Sequence, residues 1–91
     1  MKRIDSDKVT GTSYKGKFKA NYEDLIEAFG ESDGASGDDK CQANWTLEID
    51  DIICTIYDWK EYDKELENIT DWYIGGFTSE AETKVKEYLK L

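Results

Sequence analysis

The chain has 91 residues, with 21 acidic against 12 basic side chains, a formal charge of −9 and no histidine. That length makes one domain, spanning 1–91, with a modest core. The missing histidine excludes every His-based triad and imidazole metal site, and the acidic balance disfavours direct binding to nucleic acid or anionic lipid.

The absence of proline, together with three tryptophans and six tyrosines, points to a folded domain rather than an acidic tail. There is no apolar run long enough to span a membrane and no charged-then-apolar leader, so the expectation is a cytosolic protein. The charge is uneven. Residues 1–20 carry six basic and two acidic side chains, a net of +4, whereas residues 21–91 carry six and nineteen, a net of −13.

Residues 1–7 are polar and are expected to fray. Lys8 to Ala20 has the look of an edge strand, or two short ones bent at Lys15-Gly16, its lysines guarding against sheet-to-sheet pairing. Asn21 is placed to cap a short helix in which Tyr22, Leu25, Ile26 and Phe29 make one apolar stripe. Glu23, Asp24 and Glu27 then form an outward acidic face, and Gly30 is suited to a left-handed stop. The loop at 31–40 is small and acidic. Asp33, Asp38 and Asp39 lack the alternation and the closing glutamate of a calcium loop, so no metal or other cofactor is expected.

Cys41 to Asp58 is the centre of the fold. Cys41, Ala43, Trp45, Leu47 and Ile49 alternate with polar residues, the period of a half-buried strand. Ile52 to Tyr57 is rich in β-branched and aromatic residues. A two-residue turn at Asp50-Asp51 pairs Ile49 with Ile52, Leu47 with Cys54 and Trp45 with Ile56, all on one face. In that register Cys41 lies opposite Lys60, far beyond disulfide reach of Cys54. Both cysteines therefore read as small buried hydrophobes in a reducing compartment.

Residues 59–69 are charged and loop-like, with room for one helical turn. Thr70 to Gly75 is a short strand, and Ser79 with Glu82 makes a capping box for a last helix whose buried stripe is Ala81, Val85, Tyr88 and Leu89. The expected fold is α+β: an antiparallel sheet of about four strands in the order β-α-β-β-β-α, with both helices on one face. The core is expected to hold Trp45, Leu47, Ile49, Ile52, Cys54, Ile56, Trp72 and Ile74.

Opposite that core project Ile53, Thr55, Tyr57, Trp59 and Tyr73, with Asp58, Glu61, Asp63 and Asp71 around them. Aromatics ringed by acids make a candidate interface, because aromatic anchors dominate binding hot spots. The alternative is that the N-terminal strand crosses them or that they seal a second core. Paired carboxylates for acid–base work arise by chance in so acidic a chain, and no glycine pattern cradles phosphate. The chain is therefore expected not to be an enzyme.

Four stretches, NYEDLIEAFG (21–30), DKCQANW (39–45), TIYDWK (55–60) and TDWYIGG (70–76), carry a further signal. In this order they resemble the motifs of a family of small phage-encoded proteins for which no activity is established. Tyr73 stands where that family usually has histidine, and a proline after the first helix is missing. The resemblance implies a phage or prophage protein made in a bacterial cytosol, and small acidic phage proteins of this kind include anti-CRISPR proteins and DNA mimics. The leading expectation is thus an inhibitor whose Tyr57, Asp58, Trp59, Glu61, Asp63, Asp71 and Tyr73, with Glu23 and Glu27, occlude the basic surface of a host defence nuclease complex. The rival is a sponge for a nucleotide signal, stacking bases on Tyr57, Trp59 or Tyr73 with Lys15 and Lys17 holding phosphate. A structural phage component is the third possibility.

Overall fold

The hairpin at the centre forms as the alternation requires. In a computed structural model, which describes residues 1–4, 11–33, 43–59 and 65–91, β3 (Asn44–Ile49) and β4 (Ile52–Tyr57) pair with Ile49 opposite Ile52, Leu47 opposite Cys54 and Trp45 opposite Ile56. Asp50 and Asp51 both take positive φ, at 50° and 68°, as a tight turn matched to strand twist demands. Aspartate tolerates this region because its short side chain bonds locally. Asp50 also meets Lys84 at 3.3 Å, pinning the turn to the last helix.

Around this hairpin lies a five-stranded antiparallel sheet in the order β1-β3-β4-β5-β2. Its outer strands are β1 (Lys2–Arg3) and β2 (Ser13–Lys19), and β5 (Asp71–Gly76) lies inside β2. The fifth strand corrects the expectation of a frayed start at Lys2 and Arg3, which pair with Glu48 and Leu47; residues 5–7 of that expectation lie outside the described residues. Arg3 then donates to the carbonyls of Phe29 and Glu31, each at 2.8 Å, and to Asp33 at 2.9 Å. A guanidinium at the end of α1 (Tyr22–Phe29) satisfies carbonyls that the helix leaves open.

Both helices pack on one face of the sheet. Leu25 and Phe29 of α1 and Ala81 and Val85 of α2 (Glu80–Leu89) join Trp45, Leu47, Ile49, Cys54, Ile56, Trp72 and Ile74 in one core cluster. Ile52, expected in the core, packs half-buried against it. Trp45 and Trp72 meet edge to face at 5.5 Å, and Tyr22 stacks on Trp72. Their indole N–H groups donate to Gly30 and Ala20, the residues just beyond and before α1. A buried tryptophan needs a partner for its N–H, so the two indoles hold both ends of one short helix. Cys54 is a free, fully buried thiol, and burial pushes it up to about 11. Its expected counterpart Cys41, and Lys60 opposite it, lie outside the described residues.

Four local expectations change. Tyr88, expected in the buried stripe of α2, is exposed. Gly30 stops α1 with φ 88° and ψ −168°, a glycine region but not the left-handed helical one. Asn21 occupies the N-cap position without a side-chain cap, and Ser79 is itself helical, so the capping box with Glu82 does not form. Glu82 instead lies over Gly16 of β2, where an added Cβ would overlap its carboxylate, and it pairs with Lys86 at 3.1 Å. Between β5 and the second helix, Gly76 approaches Ala81 so closely that a Cβ there would overlap the alanine methyl.

Candidate functional site

The face of the sheet away from the helices carries the alternate set of side chains. On β4 these are Ile53, Thr55 and Tyr57, and on β5 they are Asp71, Tyr73 and Gly75, by the period of two that buries Cys54, Ile56, Trp72 and Ile74 on the other side. Tyr57 pairs with Tyr73 across the strands, their rings nearly parallel (22°) with centroids 5.8 Å apart. Trp59 meets Tyr57 edge-on at 6.4 Å.

A fourth aromatic joins them from β2. The register of β2 against β5 shifts between Tyr14 and Gly16, so Lys15 is the extra residue of a bulge. Gly16 and Phe18 turn into the core, whereas Tyr14, opposite Gly75, turns to the open face and lies 6.0 Å from Tyr73. Unbroken alternation puts Tyr14 in line with Phe18 and so hides it; the bend expected at Lys15-Gly16 is the signal that separates them.

Tyr14, Tyr57, Trp59 and Tyr73 line an open cleft of about 450 Å³. Gly75 faces Tyr14 on one side and Thr55 on the other, and Thr55 Oγ1 takes the place that a Cβ there would need. The aromatics are not sealed: Tyr14 is 56% and Trp59 38% exposed, and Tyr57 and Tyr73 are half-buried. Neither a crossing strand nor a second core takes this cleft among the described residues.

The charges around it differ from expectation. Asp58 continues the core parity of β4 and is fully buried, accepting the Ala43 N–H at 2.9 Å. It serves the fold rather than an outer rim. Asp71 shares the open face but pairs with Lys19 at 3.3 Å. Lys17 lies directly opposite Tyr73 and is exposed on the same face. Glu61 and Asp63 lie outside the described residues, as do Asp38 and Asp39 of the loop weighed for calcium; Asp33 pairs with Arg3. Glu23 and Glu27 are exposed on α1, in the layer on the other side of the sheet. Glu27 lines a separate cleft of about 530 Å³ with Asp24, Lys19 and Lys90, where both signs mix. The nine candidate residues therefore do not form one surface: Tyr57, Trp59, Tyr73 and Asp71 come together, Asp58 is interior, and the helix acids stand apart.

Among the described residues no group of three or more Cys, Asp or Glu is arranged to hold a metal ion, and no helix is long and apolar enough to cross a membrane. Compared with family models, with curated proteins and with solved structures, the chain gives no match.

Proposed function

We propose that the chain is a non-enzymatic binding protein of the phage inhibitor type its motifs suggest, acting on a host defence component in a bacterial cytosol. Its working surface is the helix-free face of the sheet. The observation that carries this reading is the cleft between Tyr14, Tyr57, Trp59 and Tyr73, which the helices leave open on the far side of the sheet. Aromatic side chains on such a face supply large contact area at low entropic cost when a ligand covers them.

The exposed Glu23, Asp24 and Glu27 of α1 support a second reading, in which carboxylates imitate phosphates on the basic groove of a nuclease complex. The two readings use opposite sides of the molecule, so one experiment separates them. The full chain is expressed in bacteria carrying a defence system, and plaque formation by a restricted phage is scored. Under the main reading, wild type restores plaques, Trp59→Ala with Tyr73→Ala abolishes the rescue, and Glu23→Lys with Glu27→Lys leaves it intact. Loss on charge reversal with full rescue by the aromatic variants sinks the main reading in favour of the second.

A further inference from the structure

We infer that the cleft takes a soluble nucleotide, its base stacked on the tyrosine and tryptophan rings and its phosphate met by Lys17. The inference rests on the aromatic face being the working surface and specifies what covers it. Its basis is the combination of π surface and local charge. Tyr57 and Tyr73 present neighbouring rings within 22° of parallel, and Tyr14 and Trp59 flank them at 6.0 and 6.4 Å. Every nucleobase has a planar face, and stacking on aromatic side chains holds it without base-specific hydrogen bonds. A cleft of about 450 Å³ lies in the range that ligands of this size occupy.

Charge chooses among planar ligands. A quaternary ammonium or an arginine side chain also favours aromatic cages, yet it would have to settle beside Lys17, which stands across from Tyr73 on the same face. An anionic group meets attraction there. Lys19 is already engaged with Asp71, whereas Lys17, directly across from Tyr73, can meet a phosphate. One lysine suits one phosphate group. A long single strand would need a row of cations, and on a chain of charge −9 it would meet carboxylates instead. The ligand is therefore a free nucleotide rather than a nucleic-acid polymer.

Titration of the full chain with AMP, adenosine and an eight-residue oligothymidylate, followed by tryptophan fluorescence and melting temperature, tests this. AMP is expected to quench fluorescence saturably and raise the melting temperature, with adenosine binding several-fold more weakly. Lys17→Ala should weaken AMP to the level of adenosine and leave adenosine unchanged. Tyr73→Ala should weaken both by tenfold or more, in line with the loss of one stacking platform. Trp59→Ala, beyond the end of β4, tests the same cleft without touching β5. No response to AMP at millimolar concentration overturns the inference, as does an oligothymidylate that binds more tightly than AMP or tetramethylammonium that binds in its place. If AMP fails while the aromatic variants still lose phage rescue, the face stands as the working surface and its occupant is a protein. If AMP fails and those variants keep the rescue, both proposals fall.

Discussion

Trp72 and Tyr73 are neighbours in β5, yet one is completely buried and the other keeps contact with solvent. On the Trp72 side the sheet is closed by two helices, every large side chain meets others, and each indole N–H has a carbonyl. On the Tyr73 side the rings touch one another and line an open cleft. The first arrangement is what folding free energy selects, because apolar burial there is large and cooperative. The second gains much less from folding. The difference separates the aromatics that hold the molecule together from those on which the binding proposal rests.

The sharpest way to break that comparison is to truncate each neighbour. Trp72→Ala should cost about 3–5 kcal/mol, as expected for a large aromatic removed from a packed core, and on a domain this small it leaves little folded protein. Tyr73→Ala should cost about 1 kcal/mol or less, since it removes ring contacts that water already reaches. Urea denaturation of both variants checks the pair. Were Tyr73→Ala as damaging as Trp72→Ala, the open face would be a second core and the binding proposal would lose its basis.

Much of this contrast is legible in the chain itself, and the failures have specific causes. Period-two alternation across Trp45, Leu47 and Ile49, with a turn that accepts two positive-φ aspartates, leaves one sensible register, which the hairpin adopts. Lys2 and Arg3 are a different case, because a two-residue strand has no period and its pairing with β3 is a contact made at long range. Tyr14 is hidden by a bulge, which shifts the parity of everything before it. Asp58 was open to correct reading. It lies two residues beyond Ile56 on the core parity, and only the habit of sending charges outward places it on the rim. Which side of the sheet Glu23 and Glu27 occupy depends on where α1 docks, and no local pattern in 21–30 encodes that.

Asp58 and Asp71 sharpen the comparison at the level of single carboxylates. Asp58 is fully buried and receives the Ala43 N–H, so Asp58→Ala removes the acceptor of a buried donor and should cost about 1–3 kcal/mol. Asp71 pairs with a lysine whose side chain is 82% exposed, and Asp71→Asn should change stability by about 0.5 kcal/mol at most. Thermal or chemical denaturation decides it. Equal losses at the two positions would mean that the open face is as tightly specified as the core.

The smallest effect concerns pH and belongs to the helix-bearing side alone. Burial raises the Cys54 thiol from 9.0 to about 11, so the folded chain keeps its proton over a range in which the unfolded chain gives it up. Between those values the unfolded state binds fewer protons than the native state, and stability therefore falls as pH rises. The contribution is whole below about pH 9 and is lost progressively as pH climbs towards 11. The quantity to follow is the stability difference between wild type and Cys54→Ala, which isolates the thiol. That difference should shrink by about 1 kcal/mol from pH 8 to pH 10. Trp59→Ala, in the cleft on the open side, should show no such drift relative to wild type. A Cys54→Ala difference that stays constant with pH would mean that the thiol ionises in the folded chain as readily as in water, and that the space beneath α2 is less closed than the contact with Ala81 suggests.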